Sequence, residues 1–183
     1  EAKKIFTMVL ETSPHNQEAK NRLLALHQSK SQPGLPKTQI QPVIELFSNG
    51  QIQEALDNVE VLIEDYPNEP LLFNIRAACY QAIGKLDEAV KNFEKALDIK
   101  PDYAEAQYNL GVTFRELGEI DAAVKSYEKA LAIEPDYTEA HHNLGIILRN
   151  IGQVDKAIKR FEKALAIKPD YASAHFNLSS MKI

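Results

Sequence analysis

The sequence predicts an all-α solenoid, a stack of antiparallel helix pairs without one central core, and three observations predict it. Residues recur at a spacing of 34: Pro67, Pro101, Pro135 and Pro169 keep it, as do Gly50, Gly84, Gly118 and Gly152, and Ala55, Ala89, Ala123 and Ala157. Residues 104–137 and 138–171 are identical at nineteen of those thirty-four positions. Each unit holds two amphipathic stretches at helical spacing, the first ended by the Gly and the second by the Pro.

Taken in order, residues 1–14 have the pattern of the second half of a unit, with Ala2, Phe6 and Pro14 at the positions of Ala89, Phe93 and Pro101. Residues 16–28 form another amphipathic helix, so 1–28 is expected to be an N-terminal helical hairpin. Pro14 and Pro67 are 53 residues apart, which breaks the register. Residues 29–37, with Pro33, Gly34 and Pro36, read as a linker. The solenoid is expected over 38–183, with units 36–69, 70–103, 104–137 and 138–171 and a partial unit 172–183 that is the first helix of a fifth. An array that opens on half a unit and ends on an unpartnered helix is expected to be an excised piece.

Within a unit the Gly suits a left-handed residue just past a helix end. Asp87, Asp121 and Asp155 stand where the second helix begins, where a carboxylate can cap free amides and meet the positive end of the dipole. Asp102 with Glu105, and Asp136 with Glu139, have capping-box spacing. The alanine pairs seven apart, such as Ala89 and Ala96 or Ala123 and Ala130, let two helices approach closely. Tyr80, Phe93, Phe114, Tyr127 and Phe161 are expected to fill the spaces between them.

Composition narrows the function. The chain has 183 residues, 44% hydrophobic and 26% charged, which excludes disordered and collagen-like classes. No apolar run approaches the roughly 18 residues of a membrane span. The net charge is −5. Residues 1–37 carry six Lys and Arg against three Asp and Glu, while the rest carries fifteen against twenty-three. An acidic body without a basic stripe is unsuited to nucleic acid or an anionic membrane. The single Cys79 rules out an internal disulfide and any site needing two thiolates.

The register resembles the tetratricopeptide repeat (TPR) family. It is carried by NLG at 109–111 and 143–145, the Gly, the central Ala, an aromatic, FEKAL or YEKAL, and the closing Pro. The first unit diverges most, with Val43 where later units have Ala or Gly and Leu62 where they have Ala. The family's usual Trp is absent, and Phe73 is its nearest replacement. The resemblance implies a right-handed superhelix whose first helices line a concave groove. In style the array is similar to bacterial TPR arrays related to the repeat region of O-GlcNAc transferases.

Stacking the first helices places equivalent side chains in rows. Asn109, Asn143 and Asn177 form one row, Tyr108, His142 and Phe176 the row beside it, and Arg115 and Arg149 lie six positions further along. An Asn side chain both donates and accepts, so a ladder of them can hold an extended peptide backbone of any sequence. The resemblance to the O-GlcNAc transferase ladder implies that role for the three asparagines. A carboxylate clamp for an acidic tail would need cations where Glu105 and Glu139 stand. Unit 36–69 has seven acidic residues and only Lys37, a feature that could draw a basic segment.

Catalysis is not expected. There is no nucleophile elbow, phosphate loop or dinucleotide fingerprint. His141 and His175 repeat at 34 beside His142, but no Asp, Glu or Cys joins them at ligand spacing, so no metal and no cofactor is expected. The favoured reading is a non-catalytic scaffold that binds a peptide or helix of a partner protein in the concave groove. A substrate-targeting region of a larger glycosyltransferase, sulfotransferase or methyltransferase is a second reading. A self-assembly module, joining weakly through exposed array ends, is a third. A cytoplasmic location is the default for a chain with one Cys.

Overall fold

A computed structural model describes residues 34–181 of the chain. The hairpin expected at 1–28 and most of the 29–37 linker lie outside the described residues. Among the described residues there are nine helices and no strand. They are α1 (Lys37–Ser48), α2 (Ile52–Asp65), α3 (Pro70–Ala82), α4 (Leu86–Ile99), α5 (Ala104–Glu116), α6 (Ile120–Ile133), α7 (Thr138–Asn150), α8 (Val154–Ile167) and α9 (Ala172–Ser179). From α2 onward each helix packs on its neighbours in chain order, so the fold is an all-α solenoid of helix pairs.

The glycines behave as expected. Gly50, Gly84, Gly118 and Gly152 have φ of 77°, 75°, 79° and 79°, a region that costs a residue with a Cβ. The following amide closes the helix end by donating back to a carbonyl of the last turn, as from Lys85 N to Tyr80 O at 2.9 Å and Glu119 N to Phe114 O at 2.8 Å. This is the Schellman arrangement, and it turns the chain sharply enough to lay the second helix against the first.

The expected caps are corrected. The second helices start after Lys85, Glu119 and Gln153, so Asp87, Asp121 and Asp155 lie inside the first turn and make no capping hydrogen bond. They retain only the favourable dipole interaction. Likewise Tyr103 and Tyr137 occupy the N-cap positions of α5 and α7 without side-chain caps, so neither capping box forms. Glu69, ahead of Pro70, does cap, accepting from Leu71 N at 3.3 Å.

Complementary volumes set the helix spacing inside each pair. An added Cβ on Gly111 would lie 2.8 Å from the Tyr127 ring, and one on Gly145 would lie 2.8 Å from the Phe161 ring. In the second pair the same two positions hold Ala77 and Phe93, both fully buried in one cluster. In the first they hold Val43 and Val59, both buried. A larger residue on the first helix is thus matched by a smaller one on the second, which explains why Val43 is tolerated. Burying each aromatic contributes on the order of 2–3 kcal/mol.

Candidate functional site

The first helices α1, α3, α5, α7 and α9 present one side chain row after another, and the two rows expected from sequence meet across unit boundaries. Asn109 Nδ2 donates to Asn74 Oδ1 at 3.4 Å, and Asn143 Nδ2 donates to the Tyr108 hydroxyl at 3.0 Å. Asn177 Nδ2 lies 3.2 Å from His142 Nε2. Because an amide N–H can only donate, that imidazole nitrogen accepts, with the ring neutral. The three bonds share one spacing of 35 residues. Asn74 had not been singled out from sequence, yet it stands in the row of Tyr108 and His142.

An aromatic ring completes two of these joints. Tyr137 stacks on Tyr108 with centroids 4.9 Å apart, and Tyr171 lies 5.0 Å from His142. Burial pushes Tyr137 upward from the usual phenol range and pushes His142 downward. Arg149 Nη1 donates to Asn177 Oδ1 at 2.5 Å, so that arginine is engaged in the last joint. Arg115 and Asn143 are half-buried, Asn177 is buried, and Phe176 is 74% exposed.

The asparagines are therefore ties between units before they are anything else. Each such bond takes one amide proton, and Asn also carries a second proton and a carbonyl oxygen. Asn109 differs from the other two in lining an open trough.

That trough, about 720 Å³, runs over the first helices of three successive units. Ile44 and Phe47 of α1 and Leu71, Ile75, Ala78 and Ala82 of α3 supply its apolar surface. Asn74, Gln81, Glu105, Asn109 and Glu116 are its polar members, and Asn74 Nδ2 donates to Glu105 Oε1 at 3.2 Å. The trough lies beside the Asn row and is not among the sites expected from that row. The signal was available: moving the Asn109 position back by 34 gives Ile75, and its helical neighbours are Leu71 and Ala78.

The repeated histidines have a structural role. Nε2 of His141 lies 2.9 Å from Pro135 O, and Nε2 of His175 lies 2.8 Å from Pro169 O, tying each first helix to the turn before it. Burial lowers the His141 pKa, opposed by that bond. Among the described residues no three His, Cys, Asp or Glu side chains cluster as metal ligands would. Cys79 is buried, and desolvation pushes its thiol up to about 11, far from the range of a reactive thiolate. No described helix is long and apolar enough to cross a membrane.

Two family models, each described as tetratricopeptide repeat, match residues 68–136 and 114–179, and together they span more than half of the chain. The chain belongs to the tetratricopeptide repeat family. No curated protein matches it. Among solved structures, the TPR array is similar to TTC0263, a thermophilic TPR protein of Thermus thermophilus. Identity is 22% over 98% of this chain and 88% of that one, with a TM-score of 0.67. It is also similar to YrrB, described as a TPR protein with an unusual peptide-binding site, at 22% identity over 96% and 81% with a TM-score of 0.66. A third is the first TPR of Spaghetti (RPAP3) bound to the HSP90 peptide SRMEEVD, at 23% identity over 62% and 90% with a TM-score of 0.60. At these identities the likeness is one of fold.

Proposed function

We propose that this chain is a non-catalytic protein-interaction scaffold that takes a segment of a partner protein on its first-helix face. The observation that carries the reading is the trough of about 720 Å³, built by first helices of three successive units and apolar over most of its named lining. Apolar surface of that extent, bordered by a few polar groups, is the chemistry of a recognition site. Two structurally similar proteins, YrrB and the Spaghetti repeat, bind peptides, which supports the reading at the level of the fold. In this account Asn109 is the ladder member that reaches a bound segment. Asn143, Asn177, Tyr108, His142, Arg115, Arg149 and Phe176 continue the same face, and all of these but Arg115 and Phe176 also tie the units together. The N-terminal hairpin and linker form a separate division of the chain in this reading.

The test is affinity capture with three purified chains: wild type, Ile44→Glu with Ala82→Arg, and Asn109→Ala. Ile44 is exposed and Ala82 is outside the buried core, so these changes alter the trough without entering the packing between helices. Specific partners retained by wild type and lost from the trough variant, at equal helicity and thermal stability, are the expected result. Equal capture by all three would remove the first-helix face from consideration.

A further inference from the structure

Resting on the reading of this face as a binding surface, we propose that the trough takes an amphipathic α-helix of a partner whose apolar stripe is flanked by lysine or arginine. Backbone accounting decides between a helix and an extended segment. An extended peptide brings free N–H and C=O groups that need partners once buried. The trough surface at Ile44, Phe47, Leu71 and Ile75 offers none, the walls are helices whose backbone is already bonded internally, and the side-chain amides of Gln81 and Asn109 are too few to serve the backbone of a segment crossing three units. Asn74, the polar group set deepest at 3% exposure, is committed to Glu105 and Asn109. A helix satisfies its own backbone and buries only side chains, so this surface costs it no hydrogen bond.

Charge decides the flanks. Glu105 and Glu116 are both on α5 and both line the trough. They are eleven residues apart in one helix, hence about 16 Å along its axis. Among the described residues no Lys or Arg lines the trough. The arginine of α3, Arg76, is engaged elsewhere: its Nε donates to Asn92 Oδ1 at 2.6 Å, Glu60 lies 3.7 Å away, and its guanidinium lies over the Phe73 ring. Residues 36–69 carry seven carboxylates against Lys37 alone, but none lines the trough and five lie on α2, so Glu105 and Glu116 supply the local charge. The field over the trough therefore attracts a cationic helix and repels an acidic one. A helix laid along α5 meets both glutamates with cations about eleven residues apart, leaving three turns of apolar stripe for the surface between.

The test is selection from a displayed library of random peptides of about sixteen residues, roughly four helical turns. The bait is the full chain, and the Ala82→Arg variant serves as the blocked counterpart. Expected are peptides with apolar residues three and four apart and a net positive charge. Their affinity should fall about tenfold on Ala82→Arg, on Glu105→Gln with Glu116→Gln, and on raising salt. Enrichment of proline-containing or acidic peptides that still require the open trough would overturn the helix and leave the scaffold reading standing. If no enriched peptide distinguishes wild type from Ala82→Arg, both fall.

Discussion

The two ends of the first-helix face serve opposite purposes. At α1 and α3 the face carries Ile44, Phe47, Leu71 and Ile75, and an apolar trough is left open. At α7 and α9 it carries His142, Asn143, Arg149 and Asn177, and these groups direct their hydrogen bonds to the neighbouring unit. Ile75 and Asn143 stand at the same place in their units, two repeats apart. An apolar side chain there cannot close the joint, so the surface remains available to a partner. An Asn there stiffens the stack and leaves less for a ligand. A repeat thus trades recognition against cohesion at one position.

The largest effect expected from breaking this contrast comes from the packing beneath the polar end. Gly145→Val drives new carbon into the Phe161 ring, where even a Cβ would be 2.8 Å away, and should destabilise by about 1–3 kcal/mol. Adding Phe161→Val should recover part of that loss, since Val43 and Val59 fill the same positions in the first pair. Urea denaturation of the singles and the double measures the coupling, and an additive double would refute the matched volumes.

A joint can also be cut directly. Asn143→Ala removes the donor to the Tyr108 hydroxyl and should cost on the order of 1 kcal/mol. Ile75→Asn, the same exchange in reverse, should gain nothing, because the residue 35 positions back is Ile40 and has no polar side chain. Thermal melts of both variants sharpen the comparison. Stabilisation by Ile75→Asn would show that the trough end can form a joint of its own.

Acid should loosen the polar end selectively. Burial lowers the folded-state pKa of His142, with Arg115 and Arg149 adding repulsion, while hydrogen bonding to Asn143 and Ser173 opposes both. Burial likewise lowers His141. The unfolded chain then binds protons more readily, so stability is full above the ordinary histidine pKa and is lost as pH falls from about 7 toward 5. Protonated His142 can no longer accept from Asn177. His142→Gln should flatten that dependence in denaturation at several pH values, and an unchanged slope would put the effect elsewhere.

The smallest effect concerns Tyr127, whose hydroxyl is buried without a hydrogen-bond partner among the described residues and whose pKa burial pushes up to about 12. Phe occupies the equivalent places at 93 and 161. Tyr127→Phe should be neutral or stabilising by up to about 1 kcal/mol, because it removes an unsatisfied polar group. A clear fall in melting temperature would mean that the hydroxyl is bonded.

The architecture was legible because it is written in local chemistry. A Gly that must take positive φ, a Pro that stops a helix and small residues two turns apart act over a few residues, and repetition at 34 multiplies the signal. The capping boxes were misread for the same local reason: Asp102 and Glu105 have the right spacing, but Tyr103 takes the N-cap position and Glu105 accepts from Asn74. The Asn row could be found in the sequence, and its partners could not. Pairing Asn109 with Asn74, or Asn177 with His142, depends on the offset between stacked units, which places a residue against one 35 positions earlier. The apolar residues of the trough were legible at the Asn109 position moved back by 34, but that they stay uncovered depends on how three helices far apart in sequence share one face.

By itself, then, the sequence determined the helices, the Gly and Pro that stop them, their pairing and the family to which the chain belongs. Only the tertiary structure decided that the polar row holds the stack together while the apolar row stays open. Helix ends obey short-range sterics and hydrogen bonding, whereas the use of a side chain depends on which neighbour the packing of whole helices brings within about 3 Å.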